Sequence, residues 1–235
     1  MNKINDIVLA VKSAPELRIL SDIEKAGICG VELYLNGQML GNLDVLIALC
    51  RRFSFSYAVH APHDLGTPDK LSELVKAIGA KIVVFHNIYW EDEWLDITKI
   101  FTPIKTKLCV ENTHSVHEPL KFMRRFGLGR CLDVEHLQLE CCGVYEEEFL
   151  PVIKDASHIH LTGYVFGSDL WHTHLHQSPD HSLYMLDLIR RAGYSGFVVS
   201  EARASLQTYF EFKKLNDFYM SWKEANKATI TKGKF

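Results

Sequence analysis

The segment from Phe55 to His86 reads FSYAVHAPHDLGTPDKLSELVKAIGAKIVVFH. It begins and ends on short apolar runs, Phe55–His60 and Lys81–His86, rich in β-branched and aromatic residues. Between them, over Asp69–Ile78, Leu71, Leu74, Val75 and Ile78 recur at helical spacing, and Gly79 follows where a helix C-cap belongs. This is one strand–helix–strand unit, and both of its strands end on a histidine.

The same unit repeats outward in both directions. Strands are expected at Asp6–Val11, Gly30–Tyr34, Lys107–Glu111, Arg130–Asp133, Ser157–Leu161 and Gly196–Glu201 as well. Amphipathic helices are expected at Pro15–Ala26 and Asn42–Phe53, and further glycines punctuate helix ends at Gly27, Gly127 and Gly193. Continuously apolar strands of this kind are buried on both faces, as in parallel sheets. Eight units in 235 residues give roughly 29 residues each, the size of a βα unit. An open doubly wound sheet can also be drawn, but a closed eight-stranded barrel over residues 1–235 uses the whole chain. Residues 225–235, with Lys227, Lys232 and Lys234, are expected as a loose tail.

Composition excludes several classes. With 47% hydrophobic and 23% charged residues the chain is neither disordered nor a small disulfide-stapled scaffold. A net charge of −3 excludes a bulk polycation for nucleic acid. No apolar run has the ~18 residues of a membrane span, and Ile7–Val11 is too short for a signal peptide. Six cysteines without a CxxC spacing suggest reduced thiols and a cytoplasmic protein. The count that stands out is twelve histidines, since histidine is the commonest metal ligand.

Barrels carry their chemistry at the C-terminal ends of strands. Six consecutive strands end on His60, His86, Glu111, Asp133, His160 and Glu201. The residues two positions earlier, such as Ala58, Val84, Cys109, Cys131 and Val199, are small or apolar, so both sets are expected to point inward. Carboxylates held this close repel one another unless a cation neutralises them, which makes metal the simplest account. Nitrogen and oxygen donors suit zinc, manganese or ferrous iron. His136, just beyond the sixth strand, and the alternating His174 and His176 are further expected ligands. His158 is expected beneath His160 as a supporting or core residue, and Glu32 is left open between a catalytic role and an ion-pair role. His63, His114, His117, His172 and His181 are read as ordinary surface residues.

These motifs resemble the xylose-isomerase-like TIM-barrel superfamily, and within it most closely the endonuclease IV family (AP endonuclease family 2). Glu111-Asn-Thr, Cys131-Leu-Asp133-Val-Glu-His136, Ile159-His160-Leu and Val198-Val-Ser-Glu201 match the signatures of its fifth to eighth strands. The resemblance implies a single α/β TIM (β/α)8 barrel holding two or three divalent ions, zinc above all. One ion would take His60, His86 and Glu111. A second would take Glu111 as a bridge with Asp133, His160 and Glu201. A third would take His136 with His174 and His176. Where the family has Asp-x-His, this chain has His174-Leu-His176. The loop Ala61–Gly66 also lacks the aromatic wedge with which the family enters DNA. A small phosphorylated or sugar substrate is therefore expected ahead of DNA.

Two enzyme classes follow. In a phosphoester hydrolase, Glu111 would bridge metals and take a proton. In a sugar or sugar-phosphate isomerase or epimerase, one ion on Glu111, Asp133, His160 and Glu201 would suffice, with Glu111 and Glu201 as the proton shuttles. The histidines beyond that four-residue set favour the hydrolase. A non-catalytic binding barrel is the third class, disfavoured by the intact ring of ligands.

Overall fold

The strand–helix repeat closes on itself. In the computed structural model, which describes residues 7–64, 66, 68–113, 120–140, 150–164 and 171–232, eight strands form a closed barrel in sequence order. They are β1 (Ile7–Ser13), β2 (Gly30–Tyr34), β3 (Ser56–His60), β4 (Ile82–His86), β5 (Lys107–Glu111), β6 (Gly129–Asp133), β7 (Ala156–His160) and β8 (Gly196–Glu201). All pair in parallel, and β8 returns to β1. Outside them run α1 (Leu17–Lys25), α2 (Leu43–Cys50), α3 (Pro68–Ile78), α4 (Glu91–Phe101), α5 (Leu120–Phe126), α6 (Val134–Glu140), α7 (Leu150–Asp155), α8 (Pro179–Arg191) and α9 (Tyr209–Lys232). Gly79 and Gly193 follow α3 and α8 at φ 65° and 80°, the left-handed turn that ends a helix without a Cβ clash.

Period-two alternation divides the strand residues between two cores. The outer core joins outward residues such as Val31, Leu33, Val83, Phe85, Leu132 and Ile159 to helix residues such as Leu20, Leu74, Trp94, Leu186 and Phe212. Each large apolar side chain buried there contributes roughly 1.5–3 kcal/mol. The inner core is smaller and holds Ala10, Ala58, Ile82, Val84, Cys109, Cys131, Phe197 and Val199. It contains all five residues expected beneath the strand ends. α9 fastens the closure: Tyr219 O–H donates to the Ile7 carbonyl at 2.6 Å.

Hydrogen-bonded register does not run level around the barrel. His60 pairs with Val84, whereas His86 pairs with Glu111, and Glu111 pairs with Cys131, whereas Asp133 pairs with His160. These two-residue steps are the stagger that strand tilt imposes on a closed sheet. The tilt keeps successive strand ends at one mouth even though the ladder climbs. β1 extends two residues beyond Val11 and so carries Lys12 and Ser13 to that mouth. Of the expected tail, residues 225–232 are helical within α9, and 233–235 lie outside the described residues. Among the described residues no helix is long and apolar enough to cross a membrane.

Candidate metal centre

Six strand ends supply one cluster at the C-terminal mouth. Glu111 Oε2 lies 2.9 Å from His60 Nε2 and 3.1 Å from His86 Nε2. Its other oxygen, Oε1, lies 3.3 Å from His160 Nδ1. That imidazole nitrogen also faces Glu201 Oε2 at 3.4 Å and Asp133 Oδ2 at 3.6 Å. Among the described residues three groups have ligand atoms close enough to hold an ion: His60, His86 and Glu111; Glu111, Asp133, His160 and Glu201; and, beneath them, Cys131, His158 and His160. The first two share Glu111, one oxygen toward each.

The hydrogen bonds behind these ligands test whether a cation fits. His60 Nδ1 lies 3.3 Å from the Ala61 carbonyl, which can only accept. The proton is thus placed on Nδ1, leaving a lone pair on Nε2 aimed at a carboxylate oxygen. His160 is fixed the opposite way round. Its Nε2–H donates to Glu32, 3.0 Å from Oε1 and 3.2 Å from Oε2. Its Nδ1 lone pair then faces three carboxylate oxygens. Lone pairs opposed to carboxylates in a dry interior require a proton or a cation between them. Imidazoles backed by a carboxylate or a carbonyl are the usual form of a metal-binding histidine. Glu201 Oε2 is buried and has no hydrogen-bond partner among the described residues. The N/O donor set suits zinc, manganese or ferrous iron, and the residues fit such ions.

The electrostatics follow from burial and neighbours. Burial alone would raise the Glu111 carboxyl, but His160, His60 and His86 hold it well below the usual carboxylate range. Asp133 goes the other way, since burial and the Glu111 charge outweigh its hydrogen bond to His160. Burial disfavours a charged His160, yet the surrounding anionic groups, Glu32 and Glu111 among them, raise its pKa well above normal. A field that would hold a proton on Nδ1 would equally hold a cation there.

Four neighbours of the cluster were not singled out as site residues in the sequence or were left open. Glu32, fully buried on β2, accepts from His160 and lies 2.5 Å from His158 Nε2. It is therefore the support beneath the ligands, and His158 is the buried companion expected of it. Lys12, on β1, sits 2.9 Å from Glu201 Oε1. Burial opposes its charge, but Glu201, Glu111 and Glu32 raise its pKa above that of a free lysine, so it remains an ammonium. His63, read as a surface residue, puts Nε2 in direct contact with His86 Nδ1. Asn112, within the fifth-strand motif, clamps β5 to β6: its Oδ1 accepts the Asp133 N–H at 2.8 Å and its Nδ2 donates to the Asp133 carbonyl at 3.0 Å.

The third expected trio is not brought together. His136 is at the mouth, where its Nδ1 donates to the Asn112 carbonyl at 2.7 Å and lies 3.8 Å from both Glu111 and Asp133. His174 and His176 face another way. Residues Leu175–Gln177 form a 3-10 turn rather than extended chain. His174 Nδ1 accepts from Ser200 Oγ at 2.9 Å, and its Nε2–H donates to the Leu206 carbonyl at 3.2 Å. His176 Nε2 lies 2.9 Å from Glu211 on α9. His174 is thus bonded at both ring nitrogens and His176 at Nε2, while the buried His176 Nδ1 has no hydrogen-bond partner among the described residues; these contacts fasten the β8 end and α9. Of the other histidines read as surface residues, His172 pairs with Glu135 at 3.0 Å, and His114 and His117 lie outside the described residues.

No family model and no curated protein matches this chain. Solved structures do. D-allulose 3-epimerase from Methylomonas sp. matches with a TM-score of 0.64 and 10% identity, over 94% of this chain and 100% of that one. The same enzyme in complex with D-allulose matches at 0.61 and 10%, over 93% and 90%. Phosphoribosyl anthranilate isomerase from Thermotoga maritima matches at 0.56 and 11%, over 92% and 99%. At these identities the likeness shows the TIM-barrel fold and nothing narrower.

Proposed function

We propose that this barrel is a divalent-metal-dependent enzyme in which Glu111 bridges two ions, zinc by preference, and that it hydrolyses a phosphate ester of a small substrate. The observation that carries the reading is the sharing of Glu111 between two groups whose ligand atoms lie close enough for each to hold an ion. Two ions held there would supply Lewis acidity toward a phosphoryl oxygen and acidify a water. The residues do the rest. Glu111 would serve both ions with one oxygen each, His60 and His160 are locked in the tautomers that present lone pairs, and Lys12 fixes the direction of Glu201. His60, Glu111, Asp133 and His160 are almost fully buried, and in so dry a setting fixed charges act strongly. His136, partly exposed, holds its Nδ1 proton on the Asn112 carbonyl, and its Nε2 lone pair, with no partner among the described residues, could take a proton from an attacking water. The whole chain is read as one functional domain. The unpaired Cys29, Cys50, Cys109 and Cys131 support a reducing, cytoplasmic setting.

A second reading has its own support. The group Glu111, Asp133, His160 and Glu201 is complete without His60 and His86. On one ion it would suit a sugar isomerase or epimerase, with Glu111 and Glu201 moving the proton. That His60 and His86 both point at Glu111 would then be support rather than ligation. Metal analysis separates the two. Under the two-ion reading, His60→Ala with His86→Ala lowers metal content by about one ion per chain and removes phosphoesterase activity. An unchanged metal count in the double variant refutes ligation by these histidines and transfers the case to ketose assays.

A further inference from the structure

Beside the cluster, between β1 and β8, opens a cavity of about 360 Å³. Its lining includes Lys12, Ser13, Glu16, Tyr34, Glu201 and Ala204. Lys12 is 8% exposed and donates one hydrogen bond, to Glu201 Oε1. An ammonium has three N–H donors. Two therefore have no partner among the described residues, on a side chain that lines open space. Ser13, also buried, has a hydroxyl with no partner among the described residues. Tyr34 joins the cavity to the cluster: its ring lies 5.7 Å from Lys12 Nζ and 6.0 Å from the His60 ring. Glu201 belongs both to the cavity and to the ligand group.

A cation with unused donors in a concave site is built to hold an electron-rich oxygen. Two carboxylates also line the cavity. Glu201 takes one Lys12 donor in an ion pair and Glu16 is exposed to solvent, so what Lys12 offers an incoming oxygen is its two unused N–H donors. Resting on the phosphoester reading above, we infer that substrate enters by the β1–β8 cavity and that Lys12 holds a phosphoryl oxygen there while its remaining donor keeps Glu201 in place. Lys12 is thus a substrate-binding residue, reading the charge of the phosphoryl group.

The test uses inorganic phosphate as the probe and the full chain loaded with zinc. Affinity is measured by titration calorimetry and metal content by elemental analysis, for wild type, Lys12→Met, Lys12→Arg and Ala204→Trp. Ala204 lines the cavity, is exposed and is not one of the ligand residues, so the tryptophan fills the route without removing a charge. Lys12→Met and Ala204→Trp are expected to bind phosphate at least tenfold more weakly at unchanged metal content, with Lys12→Arg restoring most of the loss. Should Lys12→Met fail to fold, Ala204→Trp and Lys12→Arg decide. Wild-type affinity in Ala204→Trp or in folded Lys12→Met overturns the inference and leaves the two-ion reading standing. So does loss of metal from Lys12→Met, which would reduce Lys12 to a support for Glu201. A wild type without metal overturns the two-ion reading instead, and Lys12 is then judged on whether phosphate binding still requires it.

Discussion

His174 offers a prediction whose size can be worked out from its surroundings. Burial pushes its pKa from 6.5 down to about 4, because the folded protein accommodates only the neutral ring. Its Nδ1 must stay unprotonated to accept from Ser200. In the unfolded chain the ring titrates near 6.5, so between these values the unfolded state binds more protons. Stability from this group is complete above pH 6.5 and falls as the pH drops toward 4. At ~1.4 kcal/mol per pKa unit, the loss by about pH 4.5 is roughly 2–3 kcal/mol. Urea unfolding of wild type and His174→Gln at about pH 7.5 and about pH 4.5 measures it, since the variant lacks the titrating ring. His181, also lowered to about 4 by burial, titrates in both proteins and cancels. The stability difference between the two proteins should shrink by that amount on acidification. A difference independent of pH would show that His174 is not held neutral, and that its bonds to Ser200 and Leu206 are not as described.

Two further expectations concern the metal and the backbone. Chelation should lower the melting temperature, and restoring zinc should recover it, because ions bound only by the folded state stabilise it; an unchanged melt after complete chelation argues against a buried ion. Gly163→Ala should destabilise by about 2 kcal/mol or more, since a Cβ there would lie 2.4 Å from the His174 carbonyl oxygen and 2.6 Å from Thr173 Oγ1; a variant with wild-type stability would show that this loop can shift freely.

What could be read from the sequence followed from two periodicities. Helical spacing in the α3 segment and apolar runs on either side located the strands to within two residues. Because inward positions are two residues apart, the strand-end rule then found six residues that do meet. It missed Lys12 because β1 was ended at Val11; the alternation Val8, Ala10, Lys12 was present, and only the strand length was short. Glu32 was visible but ambiguous, since its partners His158 and His160 lie more than a hundred residues away. His174 and His176 failed for a different reason. Their spacing suits ligands only if the chain is extended, and the turn at Leu175–Gln177 aims them at Ser200 and Glu211. Loop conformation and a partner 35 residues downstream leave no trace in local pattern.

The small inner core explains why the cluster is a plausible place for highly charged chemistry. Ala58, Cys109, Cys131 and Val199 take little room beneath the strand ends. The side chains above them can therefore sink, and His60, Glu111 and His160 are buried almost completely. Depth removes the water that would otherwise separate Glu32, Glu111, Asp133 and Glu201. Lys12 supplies one positive charge against these four carboxylates, and histidine protonation can add more only by taking up the lone pairs that face Glu111. Under the two-ion proposal, divalent ions at the two groups would answer the remaining charge without disturbing either fixed tautomer. On this argument the small residues on β3, β5, β6 and β8 belong to the design of the cluster, since bulkier ones would lift its side chains toward solvent and weaken the field that a cation would meet there.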